Sequence, residues 1–169
     1  MQRHFNKVTA LVSLIIGVGL ILGYIENLVF PQGIAFGIKI GISNIVVLFS
    51  LMFFGKRQAF VVAILKSVFS ALLFSSISAV IYSFAGIVLS VFFMNALKKK
   101  FYPDRVSLTG ISIAGSAVFN IGQVIAATVL LKSFNCIYVL VYMLPLSIVT
   151  GFVTGYVTQL VLKRLKRGI

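Results

Sequence analysis

The chain reads as an all-α polytopic membrane protein: one bundle of six transmembrane helices with both ends on the same side. Three observations predict this class. Hydrophobic residues fill 60% of the 169 positions and charged residues 10%. Soluble domains carry about 25% charged residues, so this chain cannot cover a water-facing surface. The apolar residues also form stretches long enough to cross a hydrocarbon core of roughly 30 Å. Basic residues gather at alternate ends of those stretches, the distribution that orients a membrane protein with its positive loops inside. Six spans leave room for a single domain, 1–169, with basic cytoplasmic tails at 1–7 and 163–169.

The first span is expected from Val8 to Ile25 or Leu28. Arg3 and Lys7 precede it as in a signal peptide. The apolar stretch is nevertheless too long for a signal core and contains Glu26, so it reads as a retained helix. Pro31, Gln32 and Gly33 break the chain. Span two covers Ile34 to Phe54, with Gly37, Lys39, Gly41 and Asn44 in its first half. Span three, Ala59 to Phe74, is interrupted by Lys66 and Ser67, and Ser75, Ser76 and Ser78 mark a tight connection. Span four takes Ala79 to Leu97 and closes on Lys98, Lys99 and Lys100. A polar loop through Tyr102, Pro103, Asp104 and Arg105 leads to span five, Leu108 to Leu131. Span six runs from Tyr138 to Leu162.

The basic ends test this count. Arg3 and Lys7, Lys56 and Arg57, Lys98 to Arg105, and Lys163 to Arg167 all fall on one side, and the opposite connections offer Lys132. Both termini are therefore expected in the cytoplasm. Uniformly apolar segments longer than ten-residue alternating strands argue against a β-barrel.

Composition excludes several functions. The net charge of +13 sits at span ends, where it suits anionic lipid rather than nucleic acid. The single Cys136 allows no intrachain disulfide and no multi-cysteine motif. One histidine, His4, makes no zinc site, and no cofactor or metal is expected. Tyr24, Tyr82, Tyr138 and Tyr142 suit interfacial anchoring or an aromatic ligand surface.

Only two carboxylates occur, Asp104 in the basic loop and Glu26 at the end of span one. Ionisable groups within a bilayer need a partner, a cavity or a function. Glu26 and Lys39 share a depth across the Pro31 to Gly33 turn, with Asn44 nearby. Lys66 lies in the middle of span three, and Asn120 and Gln123 in the middle of span five. Three readings stand. These residues line a polar chamber for a small anionic or zwitterionic molecule, Glu26 and Lys39 form a structural pair while the amides fasten helices, or the charged groups couple protons or ions. The Gly37-x-Lys39-x-Gly41 spacing suits an irregular helix start that brings backbone N–H groups to a carboxylate or phosphate. Small residues four apart, Ser13 and Gly17, Gly19 and Gly23, Gly151 and Gly155, permit close helix approach or docking of another subunit.

The segments Tyr24-Ile25-Glu26, Pro31 and Gly37-Ile38-Lys39-Ile40-Gly41-Ile42-Ser43-Asn44, with Lys66-Ser67 and Ser83-Phe84-Ala85-Gly86, carry a further signal. The chain resembles the Gx transporter family, also labelled heptaprenyl diphosphate synthase component I, and through it the S components of energy-coupling factor (ECF) transporters. That resemblance implies a prokaryotic plasma-membrane protein that captures a vitamin- or flavin-like molecule. A transmembrane coupling protein and paired ATPases would then drive release. It makes Glu26, Lys39, Asn44 and Lys66 the leading binding residues, to which the mid-span position of Asn120 and Gln123 adds two more candidates. It places docking on Ala10, Ser13 and Gly17, although the AxxxA pattern common in S components is here Ala10-Leu11-Val12-Ser13-Leu14. The synthase label implies instead an accessory component in prenyl diphosphate or quinone metabolism. A membrane assembly subunit without transport is the third expectation. No enzymatic activity is expected of the chain itself, since two separated carboxylates cannot hold magnesium around a diphosphate.

Overall fold

The computed structural model describes residues 2–29, 41–74 and 77–167. Six α-helices account for nearly all of them: α1 Gln2–Val29, α2 Ile45–Phe53, α3 Lys56–Phe74, α4 Ile77–Phe101, α5 Leu108–Leu131 and α6 Leu140–Arg167. Short 3-10 turns, Ile42–Asn44 and Phe134–Val139, lead into α2 and α6. The described residues contain no strand. The helices form because long apolar runs must satisfy their own backbone groups when no water is at hand. Four segments are long and apolar enough to cross a membrane: Val8–Val29, Ser78–Phe101, Leu108–Leu131 and Phe134–Leu165. The protein is thus an all-helical membrane bundle.

The two remaining helices depart from that standard for different reasons. α3 has 19 residues but carries Lys56, Arg57 and Lys66. Of the expected second span, Ile34 to Phe54, the described part is helical from Ile42 to Phe53, and residues 34–40 lie outside the described residues. Pro31 to Gly33, Gly37, Lys39, Ser75 and Ser76 lie outside the described residues. The basic segments at either end belong to α1 from Gln2 and to α6 as far as Arg167.

The helices close into a ring. α1 packs on α3, α3 on α4, α4 on α5, α5 on α6, and α6 on α2. α2 also touches α1, α3 and α4, so the shortest helix is deeply enclosed, burying Val46, Val47, Leu48, Ser50 and Leu51. Close approach of α5 and α6 depends on two glycines. A Cβ on Gly151 would fall 2.5 Å from the Ile113 Cα, and one on Gly155 would fall 2.7 Å from the Thr109 Cα. Gly19 and Gly23 similarly face α2 and α3, through Val46, Lys66, Ser43 and Ser70. The third spaced pair faces away: Ala10 and Ser13 are exposed, and a Cβ on Gly17 would meet nothing within 4 Å.

One apolar cluster joins Ile16, Val47, Leu51, Val62, Val91 and Ile111 through the middle of the bundle. A second joins Tyr82, Val124, Cys136 and Met143 where α4 begins and α5 ends. Tyr82 is therefore a core residue, whereas Tyr24, Tyr138 and Tyr142 are exposed, as an interfacial role requires.

Candidate functional site

The polar centre starts from a backbone irregularity. Gly41 adopts φ 89° and ψ 26°, a left-handed conformation that side chains disfavour. The chain then makes the 3-10 turn Ile42–Asn44 and enters α2, leaving N–H groups that no preceding turn can satisfy. Glu26, three residues from the end of α1, supplies the acceptors. Its Oε1 accepts from the Gly41 N–H at 2.6 Å and its Oε2 from the Ser43 N–H at 3.3 Å. A carboxylate at a helix start also meets the positive end of the helix dipole. A carboxylate of the protein itself thus meets the irregular helix start, while Gly37 and Lys39 of the expected anion site lie outside the described residues.

Lys66 approaches from α3. Its Nζ donates to Ser43 Oγ at 2.8 Å and to Asn44 Oδ1 at 2.9 Å. Glu26 and Lys66 are 4% and 5% exposed, and Ser43 links them, giving its N–H to one and accepting from the other. Ser43 thus bridges two buried groups of opposite charge, and the hydrogen bonds offset part of their desolvation cost. Of the residues expected to converge, Glu26, Asn44 and Lys66 do so. Lys39, the other expected partner of Glu26, lies outside the described residues.

Beside this group is a cavity with a water-accessible volume of about 30 Å³. Gly23, Glu26, Ser43, Asn44 and Lys66 form one wall; α3 adds Ser67 and Ser70. α4 contributes Ser83, Val80 and Ile87, and α5 contributes Phe119. Ser67 is a site residue that the sequence reading passed over. Its hydroxyl is buried without a hydrogen-bond partner, whereas a serine in an apolar helix ordinarily bonds back to its own turn.

Asn120 and Gln123 are buried too but turn elsewhere. Asn120 Nδ2 donates to the Met143 carbonyl at 3.2 Å, and Gln123 Nε2 donates to Asn120 Oδ1 at 3.4 Å. Asn120 ties α5 to α6 with Gln123 behind it, and neither lines the cavity, which Phe119 reaches instead. Ala10, Ser13 and Gly17 lie on the far, outward face of α1.

Chemically the site can bind and orient. Its ionic groups hold backbone amides and short polar side chains, and the described residues contain no cluster of three metal-ligating groups. A family model described as heptaprenyl diphosphate synthase component I matches residues 15–161. No curated protein and no solved structure gives a significant match. The matched stretch runs from α1 into α6 and takes in Glu26, Asn44, Lys66 and Ser67 together. The chain belongs to the heptaprenyl diphosphate synthase component I family.

Proposed function

We propose that this chain is a non-catalytic membrane component that binds a small molecule in the chamber between α1, α3, α4 and α5. The observation that carries the reading is the joint burial of Glu26 and Lys66 beside a polar cavity. A charged side chain at the centre of a membrane helix costs about 2.5–3.5 kcal/mol on insertion scales. Lys66, in the middle of α3, meets that cost, and a buried opposite charge nearby returns little net stability compared with apolar packing. Function is the better account of the two buried charges.

The family's name supplies the setting, an accessory role in prenyl diphosphate metabolism alongside partner proteins. Catalysis belongs to a partner in this reading. Asp104 is exposed in the loop between α4 and α5, and both oxygens of Glu26 bind backbone amides. Neither is placed to share a magnesium ion with the other.

A second reading, energy-coupled uptake, rests on the same chamber and on the outward small-residue face of α1. In it all six helices cross the plasma membrane, both termini are cytoplasmic, and the bundle is S-component-like. A coupling protein with paired ATPases docks at Ala10, Ser13 and Gly17, and the cargo is vitamin- or flavin-like. The family name speaks for the prenyl setting more than for uptake.

Mass spectrometry of small molecules that co-purify with the chain in nanodiscs tests the shared claim. Wild type is expected to retain one non-lipid species, and Glu26→Gln to lose at least tenfold of it. A wild-type preparation carrying bulk lipid alone sinks the binding reading. Product formation by an added prenyl diphosphate synthase, against uptake with added coupling ATPases, separates the two settings.

A further inference from the structure

The cavity is chemically narrower than its charged residues imply. Glu26 already accepts two backbone N–H groups, and Lys66 already donates to Ser43 and Asn44. An incoming ionic group would compete with these buried, charge-assisted bonds. It would also add charge to a low-dielectric interior.

Ser67 is different. It is 6% exposed, lines the cavity, and its Oγ has no hydrogen-bond partner. A buried hydroxyl left in this state is costly, and it can both donate and accept. Val80, Ile87 and Phe119 make the adjoining wall apolar.

Building on the binding reading above, we infer that Ser67 is a direct ligand contact. The group it takes is a single uncharged hydroxyl or carbonyl on an otherwise apolar molecule. Such a group satisfies the orphaned Oγ and leaves the Glu26 and Lys66 bonds intact. The apolar remainder lies toward Val80 and Ile87.

Farnesol and farnesyl diphosphate share a tail and differ at the head, so they test the claim directly. Thermal unfolding of the full chain in nanodiscs is followed with each probe. Farnesol is expected to raise the wild-type Tm by about 3 °C or more, and the diphosphate to leave it unchanged. Ser67→Ala should keep the ligand-free Tm, because it removes an unpaired group, yet lose the farnesol shift. Ser67→Thr, which retains a hydroxyl, should recover it. A diphosphate shift that survives in Ser67→Ala overturns the inference and leaves the chamber as a binding site. A farnesol shift that also survives there marks non-specific partitioning and overturns it equally. No shift from either probe means that water alone meets Ser67; the co-purification result for Glu26→Gln then decides the broader reading independently.

Discussion

Glu26 holds the polar centre together through contacts far apart in the chain. Replacing it with alanine removes the acceptors of the Gly41 and Ser43 N–H groups and leaves the Lys66 charge buried beside them. Breaking a buried charge arrangement by deleting one partner costs about 3–5 kcal/mol. Glutamine keeps one acceptor and a similar shape, so its cost is smaller, about 1–3 kcal/mol. Equilibrium unfolding in detergent should therefore rank wild type above Glu26→Gln and Glu26→Ala lowest. Equal losses from the two variants would show that the charge matters and the second acceptor does not. Gly41 belongs to the same unit. A Cβ there would lie 2.8 Å from Asn44 Nδ2 and 2.9 Å from Phe119 Cε1, on a backbone that is already left-handed.

The short helix α2 owes its place to charges from its neighbours. Glu26 of α1 faces its amino end, and Lys98 of α4 donates to the Leu51 carbonyl at 2.7 Å near its carboxyl end. Both signs suit the helix dipole. Lys98→Met should keep α4, where methionine is a good helix former, while α2 loses its carboxyl-end partner. The expected loss is about 1–2 kcal/mol, and amide exchange should quicken in α2 before it quickens in α4. Uniform quickening in both helices would contradict a local role for Lys98. These contacts explain what could and could not be read in advance. Span five was legible to the residue, Leu108 to Leu131, because its apolar length marks it locally; in the fold Ser107 caps its start, accepting from the Gly110 N–H. The start of α2 was not, since it depends on a bond between Gly41 and Glu26 that hydropathy does not encode. Grouping Asn120 and Gln123 with the cavity used depth alone. Rotation about α5 decides the matter, and it turns Phe119 to the cavity and Asn120 to Met143. Lys66-Ser67 belonged to the segments that carry the family resemblance, but the role of Ser67 in the site was not legible, because its lack of an internal bond is visible only in the packed bundle.

The arrangement of the whole bundle bears on which way it sits in a bilayer. Lys98 meeting Leu51 brings the carboxyl ends of α4 and α2 together. Lys56, at the start of α3, lies 4.0 Å from the Phe92 ring centroid, adding that end to the same group. Gly151 faces Ile113 and Gly155 faces Thr109, so α5 and α6 run in opposite directions and the end of α6 joins the beginning of α5. Lys56, Arg57, Lys98, Lys99, Lys100, Arg105, Lys163 and Arg164 thus gather at one pole, while Lys132 closes α5 at the other. Such an asymmetry orients a membrane protein with the basic pole in the cytoplasm. α3 is no obstacle: its 19 residues span about 28 Å, and the ammonium of Lys66 is held inside the bundle rather than against lipid. Single cysteines at Arg57, Asp104 and Lys132, introduced in a Cys136→Ala background, test the orientation in intact cells. Arg57→Cys and Asp104→Cys should resist an impermeant maleimide until the membrane is opened, and Lys132→Cys should react at once. Reaction of Arg57→Cys and Asp104→Cys from opposite sides would mean that α3 and α4 do not both cross, and the shared basic pole would lose its meaning as an orienting device.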